Sequence, residues 1–138
     1  MSGAAASPDF RTVLLIESDN LIRGTVASVC RDLALAQVIQ AASVAQGEQA
    51  LKSHTVHGVV LSLSDEAAAL SLRTRLRADE LGCTTDLAVA VLAQGCTPAL
   101  AAQLKSLDVR RLLLQPFKLR DVIQTLETFW PETVPVTA

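Results

Sequence analysis

Short runs of consecutive apolar residues recur along this chain, and each is followed by a stretch in which apolar residues return every three or four positions. Continuous apolar runs are typical of strands that are covered on both faces, as in a parallel sheet packed between helices. The second pattern predicts helices with one buried stripe. The five predicted strands are Thr12 to Ile16, Val38 to Ala41, Gly58 to Leu63, Leu87 to Leu92 and Leu112 to Leu114.

Polar residues that cap helices follow the predicted strands. Glu17 to Asn20 precede the first helix, Ser43 opens the second, Ser64 or Asp65 the third, and Thr97-Pro98 the fourth. The residues predicted to face inward are Ile22, Val26, Val29, Cys30 and Leu33 in the first helix, Ala50 and Leu51 in the second, Ala67, Leu70 and Leu76 in the third, Leu100, Ala101 and Leu104 in the fourth, and Leu119, Val122, Ile123, Leu126 and Phe129 in the fifth.

Alternation of five strands with five helices predicts an α/β doubly wound domain with a parallel sheet. Right-handed crossovers then place helices on both faces of the sheet. We expect one domain over residues 11–130, with a flexible leader at 1–10 and a flexible tail at 131–138. In such sheets the functional site lies beyond the carboxyl ends of the strands. That edge brings together Glu17, Ser18, Asp19, Ser62, Ala93 and Gln115.

Composition removes several classes of function. Half of the 138 residues are hydrophobic and 19% are charged, which fits a folded domain and not a disordered chain. The net charge of −2 provides no broad basic field for nucleic acid. The longest apolar run is far short of the ~20 residues that span a bilayer, and the first residues lack the segments of a signal peptide. We therefore expect a cytoplasmic protein without membrane contact.

The cysteines and histidines give no metal-binding pattern. Cys30, Cys83 and Cys96 are dispersed without a CxxC pair, which predicts reduced, buried thiols. His54 and His57 are three positions apart, but no third ligand is near, so surface positions are expected. No Gly-rich phosphate loop follows the first strand, and no nucleophile–base pair is visible. An enzyme of flavodoxin-like architecture is therefore disfavoured, and no cofactor is expected.

Three segments resemble the receiver domains of response regulators. Val13 to Arg23 resembles the family's opening strand, acidic cluster and arginine-bearing helix. Val59 to Leu63 resembles the third strand, which ends in the phosphorylated aspartate, and Gln115-Pro116-Phe117 resembles the Lys-Pro-Phe turn before the last helix. The resemblance covers about Arg11 to Trp130. It implies the flavodoxin-like (βα)5 fold, a five-stranded parallel sheet in the order 2-1-3-4-5, and a cis bond between Gln115 and Pro116.

Only some of the residues on which the family's chemistry depends are present in this sequence. Glu17 matches the first acid of the pair that holds Mg²⁺, but Ser18 stands at the second position, and Asp19 is placed as a helix cap. Ser62 stands where the phosphoacceptor aspartate is expected. Ala93 replaces the hydroxyl residue of the fourth strand, Gln115 replaces the lysine that pairs with phosphoryl oxygens, and Leu112 occupies the position of the aromatic switch.

These replacements predict a pseudo-receiver that neither accepts phosphate nor holds a metal. Mg²⁺ requires several hard oxygen ligands, and one firm carboxylate, Glu17, is left. A serine nucleophile needs a nearby base, and phosphoryl transfer needs electrostatic stabilisation that Ala93 and Gln115 do not supply. We expect Ser62 to be a hydrogen-bonded filler and Glu17 to be a solvated or helix-capping carboxylate. Loss of clustered carboxylates is expected to stabilise the fold.

With no room for an appended output domain, the chain is expected to act through a protein partner in a bacterial two-component or phosphorelay pathway, either a histidine kinase or a downstream regulator. The alternative is an adaptor that binds a nucleotide second messenger through arginines, including Arg73, Arg75 and Arg77 of the third helix. Whether the chain is complete or part of a larger regulator stays open. Receivers commonly bind partners, or form homodimers, through the fourth helix, fifth strand and fifth helix, which here carry Gln103, Lys105, Arg110, Arg111, Lys118 and Arg120.

Overall fold

The computed structural model describes residues 11–77 and 87–129, in which five strands alternate with five α-helices. A 3-10 turn, Leu63–Asp65, joins the third strand to the third helix. The expected leader and tail lie outside the described residues. The strands are β1 (Thr12–Ile16), β2 (Gln37–Ala41), β3 (Gly58–Ser62), β4 (Ala88–Ala93) and β5 (Arg111–Leu114), and the helices are α1 (Asn20–Asp32), α2 (Val44–Ser53), α3 (Glu66–Arg77), α4 (Pro98–Ser106) and α5 (Leu119–Glu127).

The five strands form one parallel sheet in the order β2-β1-β3-β4-β5, which confirms the predicted doubly wound topology. β1 lies between β2 and β3, with Leu15 opposite both Gln40 and Val60. The predicted third strand was one residue too long, because Leu63 already belongs to the 3-10 turn. The chain leaves β5 through a cis bond between Gln115 and Pro116, as the resemblance implied.

Two hydrophobic clusters pack on opposite faces of the sheet, which explains why the strands are continuously apolar. In β1, Leu14 and Ile16 face the cluster beneath α2, α3 and α4, whereas Val13 and Leu15 face the cluster beneath α1 and α5. Each fully buried aliphatic side chain of this kind contributes about 1.5–3 kcal/mol. The sheet is therefore a rigid support for the loops at its carboxyl edge.

Some residues that were predicted to face inward are exposed instead. Ala67 and Ala101 are exposed, and Leu119 is 40% exposed because it opens α5 at the rim of the domain. The buried stripe of α3 is formed by Ala69, Leu72, Arg73 and Leu76, which recur at spacings of three and one. An arginine in this stripe was not expected, since guanidinium groups are rarely buried without partners.

The structure also locates the thiols and histidines. Cys30 is buried, and desolvation raises the pKa of its thiol to about 11, so it stays protonated. Cys96 is only half-buried, and Cys83 lies outside the described residues. His57 accepts a hydrogen bond from the backbone N–H of Thr12 through Nδ1, at 3.1 Å. Across residues 11–77 and 87–129, no helix is long and apolar enough to cross a membrane.

Candidate functional site

A cavity of about 390 Å³ opens at the carboxyl edge of the sheet, where β1, β3 and β4 end. The right-handed connections place the loops after these strands side by side, as expected for a doubly wound sheet. The structure thus brings the six predicted pocket residues together: Glu17, Ser18, Asp19, Ser62, Ala93 and Gln115 all line this cavity.

Glu17 lies at the base of the edge and is 2% exposed, so the expectation of a solvated or capping carboxylate was wrong. Its backbone N–H donates to the carbonyl of Ala41, which continues the pairing between β1 and β2 by one residue and holds the side chain inside. Its Oε2 accepts a hydrogen bond from the backbone N–H of Asp19 at 3.0 Å. Its Oε1 is buried and makes no hydrogen bond to the part of the chain that the structure describes.

Asp19 caps α1, as its position in the sequence predicts. Its Oδ1 accepts from the backbone N–H groups of Leu21 and Ile22 at 2.9 and 3.1 Å. The carboxylate also meets the positive end of the helix dipole. Asp19 is therefore committed to the helix start, although it lies at the rim of the cavity.

Three serine hydroxyls occupy the middle of the site. Ser62, at the end of β3, is 5% exposed, and its Oγ accepts from the backbone N–H of Ser64 at 3.2 Å. Ser18 donates through Oγ to the Oγ of Ser64, also at 3.2 Å. Ser62 is thus hydrogen-bonded within the site, and its role as a filler stays a prediction. Ser64 itself was predicted only as a helix cap, although its place two residues beyond β3 puts it at the same edge.

Ala93 and Gln115 close the other side of the cavity, where Gln115 donates its backbone N–H to the carbonyl of Ala93 at 2.8 Å. Among the described residues, the cavity lining contains no lysine, arginine or histidine, and its ionisable residues are Glu17, Asp19 and Glu66. Sequence reasoning missed Glu66 because it is the first residue of α3, a position typical of a solvated acid at a helix start. The site is therefore acidic and hydroxyl-rich.

The donors at this edge do not fit a resident magnesium ion. Asp19 is engaged as a cap, and Glu17 offers one carboxylate oxygen beside serine hydroxyls. Mg²⁺ is held in near-octahedral geometry by hard oxygens, usually including more than one charged group. Within the described ranges, no group of three acidic, histidine or cysteine residues is arranged to hold a metal.

The predicted partner surface is largely exposed. Arg111 is half-buried, and Arg110 donates to the backbone carbonyl of Thr128 at 2.6 Å, which fixes one cation beside the end of α5. Leu112, at the position of the predicted switch, is half-buried against the cluster beneath α2, α3 and α4. The exposed members of the surface are Gln103, Lys105, Arg110, Lys118 and Arg120.

Two of the three arginines predicted for the surface of α3, Arg73 and Arg75, bond to other parts of the protein. Arg73 is 2% exposed and donates through Nε and Nη2 to the carbonyls of Leu107 and Asp108, at 2.9 and 3.1 Å. Arg75 bonds to Glu48 of α2 and holds the pKa of that carboxyl below its usual value. The second-messenger alternative therefore loses Arg73, which is committed to the protein interior.

Comparisons with known proteins identify the fold but not a sequence family. No protein-family model matches the chain, and no curated protein matches it. The structure is similar to a response regulator receiver protein from Pseudomonas putida, with 16% identity, a TM-score of 0.78 and coverage of 88% of this chain and 99% of that one. A two-component response regulator from Legionella pneumophila is 20% identical over 88% of this chain and 98% of that one, with a TM-score of 0.74.

A third similar structure has a chemically informative site. It is a response regulator protein from Burkholderia pseudomallei with a phosphorylated aspartic acid, a calcium ion and citrate. It is 19% identical to this chain, has a TM-score of 0.71, and the match covers 89% of this chain and 70% of that one. The present chain thus has the fold of receiver domains, and at these identities the likeness extends to the fold alone.

Proposed function

We propose that this chain is a receiver-like signalling module that acts by protein–protein contact and does not take part in phosphoryl transfer. The main support for the proposal is the cavity at the carboxyl edge, where a buried serine, Ser62, ends β3 and no cationic side chain of the described part of the chain lines the walls. The fold supports a role in two-component signalling, and the site argues for an atypical member.

The chemistry of the cavity opposes transfer of a phosphoryl group to Ser62. A serine needs a base to become nucleophilic, and the buried carboxylate of the same cavity, Glu17, accepts the N–H of Asp19 through one of its two oxygens. A transferring phosphoryl group carries negative charge that cations or hydrogen-bond donors must stabilise. The acidic lining would instead repel that charge.

The surface formed by α4, β5 and α5 is the contact region that we assign to a partner, hereafter the α4–β5–α5 surface. It combines the exposed cations Lys105, Lys118 and Arg120 with the exposed apolar residues Leu114 and Leu119. A mixed cationic and apolar patch favours an acidic protein surface as the partner. We propose a cytoplasmic setting in a bacterial two-component pathway, with a second copy of the chain as the other candidate partner.

The experiment compares capture of host proteins by the wild-type chain and by a variant with Lys105→Ala, Lys118→Ala and Arg120→Ala. A matched control carries Arg31→Ala and Lys52→Ala, which remove exposed cations from α1 and α2. We expect the first variant to capture a specific partner, or to dimerise, at least tenfold more weakly than the wild type. Quantitative mass spectrometry measures the capture, and sedimentation measures the dimer. The control variant should behave as the wild type does. Equal capture by all three proteins would contradict the proposed surface.

A further inference from the structure

Most of the acidic charge in the carboxyl-edge cavity is explained by helix starts, but the charge of Glu17 is not. Asp19 caps α1, and Glu66 is the first residue of α3, so both lie where helix dipoles favour negative charge. Glu17 precedes the cap, is buried, and keeps Oε1 without a hydrogen bond to the described residues. A buried carboxylate oxygen in this state is strongly unfavourable without a partner.

Arg23 bonds to the backbone of Glu17 but makes no hydrogen bond to this oxygen. Arg23 donates through Nη1 to the backbone carbonyl of Glu17 at 2.7 Å, and through Nη2 to the side chain of Asn20. Both terminal nitrogens of the guanidinium are therefore bonded to the β1–α1 connection and the first residue of α1. Within residues 11–77 and 87–129, no lysine, arginine or histidine side chain lines the cavity from its other walls.

We propose that the cavity receives the ammonium group of a lysine side chain from a partner protein, with Glu17 as its counter-ion. An ammonium is a compact charge with three donors on a flexible stem. Glu17, Ser18 and Ser62 line the cavity and carry acceptor oxygens, among them Glu17 Oε1 just beneath its surface, while Leu63 and Leu92 give apolar walls for the stem. Arginine fits less well, because its planar fork requires two free carboxylate oxygens and Oε2 is already bonded.

Entry of the ammonium requires a small rotation of the carboxyl group, since Oε1 exposes almost no surface. The terminal torsion of glutamate has a broad, roughly two-fold energy profile, so such a rotation is inexpensive. One carboxylate oxygen can stay on the N–H of Asp19 throughout the rotation. This contact is separate from the α4–β5–α5 surface and does not rest on it.

The test is an NMR titration of the ¹⁵N-labelled chain with acetyl-Gly-Lys-Gly-amide, and with the same peptide carrying norleucine in place of lysine. We expect saturable chemical-shift changes of the Ser18, Asp19, Ser64 and Gly95 amides with the lysine peptide and none with the norleucine peptide. The dissociation constant for the lysine peptide should be of order millimolar. Glu17→Gln keeps the shape of the side chain and removes its charge, and should weaken binding about tenfold or more. Glu48→Gln, on α2 outside this cavity, should leave binding unchanged.

A second variant tests the same contact without altering Glu17. Gln115→Lys places an ammonium on the lining of the cavity itself, so it should compete with the peptide and reduce its affinity at least tenfold. The proposal is overturned if the lysine and norleucine peptides bind equally, or if Glu17→Gln binds the lysine peptide as well as the wild type. It is also overturned if Mg²⁺ alone reproduces the shifts while the lysine peptide does not. Since the α4–β5–α5 variants leave this cavity intact, failure of one proposal is distinguishable from failure of the other.

Discussion

Two regions of the molecule bury a charged side chain to the same extent but surround it with different partners. Arg73 lies on α3 and is 2% exposed. It donates to the carbonyls of Leu107 and Asp108, in the connection from α4 to β5. Glu17, at the carboxyl edge, is also 2% exposed, but only its Oε2 accepts a hydrogen bond from the described residues. Arg73 is thus bonded to two backbone carbonyls and Glu17 to one backbone N–H, although one buried atom of each, Nη1 and Oε1, makes no hydrogen bond to the described residues.

The difference indicates that the charge of Arg73 stabilises the fold, whereas the charge of Glu17 belongs to the cavity. Leu107 is the cap residue that ends α4, where backbone carbonyls carry negative partial charge, and Asp108 follows with a φ of 57°. Arg73 neutralises these carbonyls and holds the connection in its left-handed conformation. Glu17 has no comparable set of partners and faces a cavity. Replacing each residue should therefore change stability in opposite directions.

The largest effect is expected for Arg73→Met, which keeps much of the apolar stem and removes the guanidinium. The carbonyls of Leu107 and Asp108 would lose charge-assisted hydrogen bonds in a buried setting, so the free energy of unfolding should fall by about 3 kcal/mol. Urea unfolding followed by circular dichroism measures this loss. Arg120→Met removes an exposed cation from α5 and should stay within ~0.5 kcal/mol of wild type. A loss below about 1 kcal/mol for Arg73→Met would contradict the structural role.

The next effect is expected for Ser62→Asp, which adds a carboxylate to the cavity that contains Glu17. Repulsion between the two charges and their desolvation should lower the free energy of unfolding by about 2 kcal/mol. Addition of Gln115→Lys should recover part of the loss, because it supplies a cation to the same cavity. Ser71→Asp, an exposed position on α3, is the control and should be nearly neutral. Ser62→Asp with wild-type stability would show that the cavity tolerates a second charge.

A smaller effect of opposite sign is expected for Glu17→Gln. The amide oxygen can still accept from the N–H of Asp19, and the variant no longer buries a charge that lacks a full set of partners, so unfolding should become less favourable by about 1 kcal/mol. Glu66→Gln is matched in chemistry but removes a favourable charge from the start of α3, and should lower stability by ~0.5 kcal/mol. If Glu17→Gln destabilised the protein as Arg73→Met does, the distinction between the two regions would fail.

The smallest effect concerns the ion pair of Glu48 with Arg75, which joins α2 to α3. The hydrogen bond from Arg75 lowers the pKa of Glu48 in the folded protein from its ordinary 4.5. The contribution of the pair is therefore complete above pH 4.5 and is lost as the pH falls through the lowered value. Both side chains are partly exposed, so it should stay below about 1 kcal/mol. The stability difference between wild type and Arg75→Met should shrink in acid; a difference that grew would contradict this sign.

The sequence predicted the sheet well because strand burial is a local signal. In β1, Leu14 and Leu15 face opposite clusters, so the run had to be apolar throughout. The environments of Glu17 and Arg73 were not predictable in this way. Arg73 is buried because of carbonyls that lie 34 and 35 positions away along the chain. Glu17 is buried because the carbonyl of Ala41 extends the β1–β2 pairing past the last apolar residue.

The candidate site was predicted as a set of positions, since the carboxyl ends of parallel strands share an edge. Ser62, Ala93 and Gln115 were placed there correctly. Glu66 and Ser64 were missed as site residues because they also fit helix starts, and a sequence pattern does not tell which way such a residue faces. The positions of the strand ends in the sequence thus located the cavity. Which ionisable residues line it depends on tertiary packing, which the sequence pattern does not give.

The most direct measurement is intact-mass spectrometry of the chain after incubation with Mg²⁺ and acetyl phosphate, with a phosphorylatable receiver domain as the positive control. We expect the control to gain a phosphoryl group and this chain to keep its mass, because Ser62 lacks a free base and the cavity lining lacks a cation. A stoichiometric phosphoryl adduct on this chain would contradict phosphorylation-independent action.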